Sequence, residues 1–180
     1  NNALTDILEP GSTFKTASLL VALNDKKISI NDSVDAHKGQ YRFGSATMKD
    51  HNAGKPSAYG MLSVPQVLMY SSNVGTARLI NENYKDNPAK FVEGLHRMGL
   101  ATHFPLLPGT GRPVIRKPNA NKSNWSVTAL PWMSIGYETQ IAPINIVSFY
   151  NAIANNGKFM KPRLVSAILD GDRVVEEFEP

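Results

Sequence analysis

The chain has 180 residues, which is enough for one folded domain and too few for two ordinary ones. Hydrophobic residues make up 42% and charged residues 19%, so the composition excludes a disordered chain, and no apolar run reaches the roughly 20 residues of a membrane-spanning helix. The absence of cysteine excludes disulfides and thiolate chemistry, and the scattered basic residues behind the net charge of +4 argue against a nucleic-acid partner.

The first half of the chain predicts three helices separated by a long irregular segment. A turn at Pro10-Gly11 leads into a mostly buried helix over 12–24, and residues 31–59, rich in Gly, Asn, Asp and Lys, predict an irregular surface excursion. The sequence from Ser63 to Gln66 is typical of a capping box that opens a second helix. A third helix is predicted from about Val74, which leaves 71–73 at the junction between two helices.

The second half predicts two more helices and ends in a hairpin. A helix starts at Asn87-Pro88 and is stopped by Gly99, a long loop covers 104–131, and a strong helix follows Pro143. Near the end, Asp170-Gly171 lies between two apolar runs, a pattern that predicts a β-hairpin.

These elements predict an α+β fold in a single partial domain over 1–180, with a helical body over 1–160 and the start of an antiparallel sheet over 161–180. An isolated two-stranded hairpin is marginal in water. We therefore expect further strands, and the rest of the domain, to follow Pro180.

Ser12 and Lys15 form the pattern with the clearest chemical meaning. Residues three apart on a helix share a face, so the amine can reach back toward the hydroxyl. Serine needs a base to become a nucleophile, and burial lowers a lysine pKa enough for the neutral amine to serve. The helix start favours developing negative charge through its free N–H groups. A plain helix cap is the competing reading of Ser12.

The residues around this pattern resemble those of a known protein family. Together with Ser71-Ser72-Asn73, the Ser-x-x-Lys element belongs to a known signature of serine acyl-transferases. Four stretches closely resemble the class B penicillin-binding proteins of cell division and elongation. They are Glu9 to Lys15, Ser71 to Gly75, Ser134 to Pro143, and Lys161 to Val165.

The resemblance implies a penicillin-binding-protein/β-lactamase-like transpeptidase fold and a cross-linking reaction without cofactor or metal. Ser12 would attack a D-alanyl-D-alanine stem peptide, with Lys15 as base, Ser71 as proton relay and Asn73 as a ligand for a substrate amide. β-Lactams would acylate the same serine. It further implies that the protein is anchored in the cell membrane by a segment outside this chain. The domain would then work on the periplasmic, extracytoplasmic face, together with membrane proteins of cell-wall synthesis.

Alternatives of other classes stay open at this point. The family's Lys-Thr-Gly triplet is absent from the 180 residues, and we expect these residues alone to be inactive. A β-lactamase or D,D-carboxypeptidase of the same fold shares Ser-x-x-Lys, and a non-catalytic β-lactam sensor or scaffold is the non-enzymatic alternative. The four histidines show no metal-ligand spacing. We expect Trp125 and Trp132 to be packing residues and Glu138 to be a solvated surface residue.

Overall fold

The computed structural model describes residues 2–119, 121 and 123–179, and it consists of helices around one core with small sheets at the periphery. The outer bounds of the predicted domain, residues 1 and 180, lie outside the described residues. The helices are α1 (Asn2–Thr5), α2 (Lys15–Asn24), α3 (Val64–Met69), α4 (Asn73–Tyr84), α5 (Pro88–Arg97), α6 (Ala129–Ser134) and α7 (Pro143–Ala154). Short 3-10 turns cover Gly11–Phe14 and His37–Gly39.

The described strands form four antiparallel pairs. They pair as β1 (Ser33–Asp35) with β4 (Met61–Ser63), β2 (Gln40–Phe43) with β3 (Ala46–Lys49), β5 (Val114–Ile115) with β6 (Thr139–Gln140), and β7 (Ala167–Asp170) with β8 (Arg173–Glu177). The mixed α+β class predicted from the sequence is confirmed.

Helix α2 lies at the centre of the body and contacts α4 and α5. Its Val21 packs against α5 at Gly94, where a Cβ atom would come within 2.5 Å of the valine Cγ1. The glycine therefore lets the two helices approach more closely than a side chain would permit. Phe91 and Leu95 of α5 and Ile80 of α4 are fully buried in the same core.

Local sequence signals explain several of the helix boundaries. The predicted capping box is present, because Ser63 Oγ accepts from the Gln66 N–H while the Gln66 side chain accepts from the Ser63 N–H. Pro88 and Pro143 stand in the first turns of α5 and α7. Gly99 follows α5 with φ +79°, a left-handed value that glycine adopts at little cost.

The prediction of an irregular excursion over 31–59 is wrong in part. Strands β1, β2 and β3 lie inside this segment, so the sheet does not begin only near the end of the chain. Phe43 and Met48 lie on one face of the β2–β3 pair and are 4% exposed, which anchors the hairpin on the helical body. The apolar positions are too few and too widely spaced for a strand period to be visible in the sequence.

The remaining predictions for the second half are confirmed in outline. The stretch 104–131 is a loop that contains the two-residue strand β5 and the beginning of α6. The hairpin β7–β8 has its two-residue turn at Gly171-Asp172, one position beyond the Asp-Gly dipeptide itself, and its strands are largely exposed. Among the described residues, no helix combines the length and apolar character needed to cross a membrane.

Candidate active site

Lys15, at the first position of α2, is 1% exposed, and its amine is held by the junction between α3 and α4. Its Nζ donates to the Ser71 carbonyl oxygen at 2.5 Å, to Ser71 Oγ at 2.9 Å and to Asn73 Oδ1 at 2.6 Å. Burial lowers the pKa of the Lys15 amine from 10.5 to about 8, and the Asp50 carboxylate opposes part of this drop. A lysine with such a pKa supplies a useful fraction of neutral amine near pH 7 to 8.

Ser12 lies in the 3-10 turn that runs directly into α2, one turn before Lys15, and it is exposed. Within the described residues, its Oγ accepts and donates no hydrogen bond. The amine that was expected to reach back to this hydroxyl instead donates hydrogen bonds to Ser71 and Asn73. The sequence-predicted residues Lys15, Ser71 and Asn73 are therefore brought together, and the Ser12 hydroxyl is left accessible to a substrate.

The turn that carries Ser12 is braced by a segment far along the chain. Gly11 N–H donates to the Gly136 carbonyl oxygen at 3.2 Å, and a Cβ atom on Gly136 would lie 2.2 Å from the Gly11 oxygen. Leu8 and Ile141 exchange a pair of backbone hydrogen bonds at 3.2 and 2.9 Å. These contacts fix the backbone immediately before Ser12.

The junction at 71–73 is stabilised by the N-cap of α4. Ser72 Oγ accepts from the Gly75 N–H at 2.9 Å and donates to Asp50 Oδ2 at 2.8 Å. Ser71 has φ +52°, a left-handed conformation that costs a non-glycine residue about 1–2 kcal/mol. Such strain persists where surrounding contacts impose it, and here it presents both the Ser71 carbonyl and hydroxyl to Lys15.

Asn73 uses both ends of its amide within the protein. Its Oδ1 accepts from Lys15, and its Nδ2 donates to the Lys49 carbonyl oxygen at 2.9 Å. The side chain is thus fixed in orientation between β3 and α2. The contact with a substrate amide that the family resemblance implies stays a prediction.

Asp50 is the site residue that the sequence analysis missed. It follows β3, is 5% exposed, and accepts from Ser72 Oγ and from the Val74 N–H at 3.0 Å. The ring of its neighbour His51 packs against Tyr59 with 5.7 Å between centroids. Because 22 residues separate Asp50 from Ser72, no local spacing signals the contact.

The residues that were expected to have packing or surface roles occupy such positions in the structure. Trp125 and Trp132 are half-buried against the core, which confirms their packing role. Glu138 is exposed, and its N–H donates to the Glu9 carboxylate at 3.0 Å. No group of three or more His, Asp or Glu side chains in the described part of the chain is arranged to hold a metal ion.

A cavity of about 750 Å³ in the described part of the chain is not the centre of this chemistry. It lies between α2, α5 and α7 and is lined by apolar groups that include Leu20, Phe149 and Phe159. None of the residues around the Lys15 amine lines it. The hydrogen-bond geometry and the shifted pKa, rather than concavity, therefore define the candidate active site.

Comparison with known proteins points to one family. The family model of the penicillin binding protein transpeptidase domain matches residues 1–179. A probable peptidoglycan D,D-transpeptidase PenA of Neisseria flavescens is 26% identical over 161 residues, with 89% of this chain and 37% of the relative covered. A probable peptidoglycan D,D-transpeptidase PbpC of Pseudomonas aeruginosa is 29% identical over 161 residues, with 89% and 26% covered.

A solved structure extends the likeness to three dimensions. The transpeptidase domain of Burkholderia pseudomallei penicillin-binding protein 3 superposes with a TM-score of 0.72 at 26% identity. The match covers 89% of this chain and 45% of that one. The chain thus spans between a quarter and a half of the length of these relatives.

Proposed function

Since this chain belongs to the family of penicillin-binding protein transpeptidase domains, we propose that the intact protein is a peptidoglycan D,D-transpeptidase that cross-links stem peptides through an acyl-enzyme on Ser12. The relatives that carry this activity in their names support the proposal. The observation that carries it is the buried Lys15 amine, held by Ser71 and Asn73 one helical turn from an accessible serine hydroxyl.

The first half of the reaction forms an ester. Ser12 Oγ attacks the carbonyl carbon of the D-alanyl-D-alanine peptide bond, and the neutral Lys15 amine takes the hydroxyl proton. As the C–N bond breaks, the proton passes through the Ser71 hydroxyl to the departing D-alanine amine. The 2.9 Å contact between Lys15 Nζ and Ser71 Oγ supports this relay.

The second half reverses these transfers. The amine of a neighbouring stem peptide loses a proton along the Ser71 and Lys15 path, attacks the ester carbonyl and forms the cross-link. The C–O bond breaks and Ser12 recovers its proton. The ester must persist until this amine arrives, so its hydrolysis by water has to be slow in the intact site.

Part of the oxyanion stabilisation comes from the helix start. The Ser12 N–H is among the first N–H groups of the helical segment, which have no carbonyl acceptor within it. Such a donor, together with the positive end of the helix dipole, favours the oxygen that becomes negative on attack. The Lys-Thr-Gly strand that the family resemblance implies as the second donor is not among these 180 residues.

Covalent labelling of the intact protein with a fluorescent penicillin tests the assignment. We expect a stable adduct on the peptide that contains Ser12, complete loss of label in Ser12→Ala, and unchanged labelling in Ser166→Ala, which alters an exposed serine of the C-terminal hairpin. The circular dichroism melt of Ser12→Ala should match the wild type.

The lifetime of the adduct separates the alternatives. A label that persists for many minutes, with amine-dependent product from a D-alanyl-D-alanine peptide, supports the transpeptidase. Loss within seconds identifies a β-lactamase, water-dependent product alone identifies a carboxypeptidase, and a persistent label without any peptide turnover identifies a sensor. An unlabelled but folded wild type contradicts the acyl-enzyme proposal.

The proposal includes a place of action. The protein would work on the extracytoplasmic face of the cell membrane, where the stem peptides lie, together with membrane proteins of cell-wall synthesis. Labelling of intact cells with a membrane-impermeant penicillin tests this location, because an intracellular protein would be labelled only after lysis.

A further inference from the structure

The carboxylate of Asp50 is buried beneath the turn that holds the Lys15 amine. It is 5% exposed and takes part in no salt bridge within the described residues. Its stabilising contacts are the hydroxyl of Ser72 at 2.8 Å and the N–H of Val74 at 3.0 Å. A buried charge with two neutral donors is costly, so its place next to the reacting groups calls for an explanation.

Two adjacent residues at the end of β3 accept hydrogen bonds from the 71–73 turn and the start of α4. Lys49 accepts the Asn73 amide through its carbonyl oxygen, and Asp50 accepts from Ser72 and from the first turn of α4. The three acceptors of the Lys15 amine all belong to this turn. A displacement of the Asp50 carboxylate therefore moves the acceptors of the base.

We propose that Asp50 is a positioning residue for the Ser12 reaction, one that fixes the 71–73 turn around the Lys15 amine through its hydrogen bonds to Ser72 and Val74 and places a carboxylate near that amine. The proposal rests on the proposed function insofar as Lys15 is the base. Asp50 acts through Ser72 and Lys15, and it does not touch the substrate.

The charge matters because no other charged group of the described residues counters the burial of Lys15. The residues around the Lys15 amine are Lys49 and Asp50, at and just after the end of β3, and the uncharged Ser71 and Asn73 of the turn. Asp50 alone contributes a charge interaction with the amine, and it favours the ammonium form. The carboxylate thereby limits how far burial weakens the base, and keeps its strength close to that useful at neutral pH.

Asp50→Asn removes the charge and preserves the shape. The amide oxygen still accepts from Val74, and the amide nitrogen donates to Ser72 Oγ. Asp25→Asn is the matched control, because the Asp25 side chain is 7% exposed, accepts from Tyr84 and lies past the opposite end of α2, about 15 Å away along the helix axis.

Two measurements on the intact protein are needed. One is the rate of fluorescent penicillin labelling against pH, and the other is the titration of the Lys15 signal by carbon NMR of labelled lysines, assigned with Lys15→Met. We expect Asp50→Asn to shift two curves to lower pH by about 1 unit: the acid limb of the labelling rate plotted against pH, and the NMR titration of Lys15. The reason is that loss of an opposite charge shifts a pKa by that amount or more. The plateau rate should fall, because the amine becomes a weaker base.

The controls distinguish positioning from plain stability. Asp25→Asn should lower the melting temperature and leave both pH curves in place. Asp50→Glu, which keeps the charge on a longer arm, should retain the Lys15 titration and lose labelling rate, and it carries the test if Asp50→Asn does not fold.

The outcomes also separate this inference from the proposed function. An Asp50→Asn protein that is folded and has both curves at the wild-type pH overturns the inference, as does an equal shift in Asp25→Asn. A wild type that is never labelled, but whose Lys15 titration still moves in Asp50→Asn, refutes the proposed function and leaves only the effect of Asp50 on the Lys15 amine standing.

Discussion

The buried Lys15 makes the stability of the chain depend on pH in a direction that can be worked out. Its pKa is lowered from 10.5 in an exposed lysine to about 8 in the fold, mainly by burial. Between these values the unfolded chain holds the proton and the folded chain does not, so stability rises with pH across this window. Below about pH 8 the full cost applies, and 2.5 pKa units correspond to about 3 kcal/mol.

The test compares wild type with Lys15→Met, which fills the same space without a charge. We expect the free energy of unfolding, measured by urea denaturation, to move in favour of wild type by about 2 kcal/mol between pH 7 and 9.5. Taking the difference between the two proteins removes the titrations they share, including that of Tyr84, whose pKa is raised by burial and by its hydrogen bond to Asp25.

Lys27→Met, at an exposed lysine, is the control for loss of one surface charge and should show no such trend. Parallel stability curves for wild type and Lys15→Met over this range would refute the reasoning. They would mean that Lys15 keeps its proton in the fold, and so cannot act as the base at neutral pH.

Two further predictions concern stability. Gly136→Ala places a Cβ atom 2.2 Å from the Gly11 oxygen at φ +87°, so we expect the free energy of unfolding to fall by about 2–5 kcal/mol and penicillin labelling to become slower. Gly157→Ala is the control, with φ +82° and open space around it. It should lower the free energy of unfolding by only about 1–2 kcal/mol and leave labelling unchanged. Ser63→Ala removes the capping box of α3 and should cost about 1 kcal/mol, or about 2–4 °C in melting temperature, and an unchanged melting curve would contradict the assigned cap.

Helices α2 to α5 and α7 could be predicted from the sequence because their signals are local, whereas the short helices α1 and α6 were not predicted. The capping box at Ser63, the prolines at the starts of α5 and α7, and the glycine after α5 each fix a boundary through residues a few positions apart. The hairpin β7–β8 was found for the same reason. Strands β1 to β3 were missed because only single apolar residues such as Val34, Phe43 and Met48 mark their buried face.

The site was predictable only where its residues form a motif. Ser12, Lys15, Ser71 and Asn73 were identified by motif and resemblance, and the structure supports a common location for the last three. Asp50 carries no motif, and its role depends on a hairpin folding against the start of α4. The hydrogen bond expected between Lys15 and Ser12 is not present in the described residues, and the amine donates to three acceptors of the 71–73 turn instead.

The brace between the Ser12 turn and 136–141 has a consequence for synthesis on the ribosome. The serine emerges early, but the strand-like pairing of Leu8 with Ile141 cannot form until some 130 residues more have been added. At about 5–20 residues per second, this takes roughly 6 to 26 s, during which the hydroxyl has no fixed backbone behind it. The backbone before Ser12 therefore cannot reach its final position until the segment around Ile141 has been synthesised.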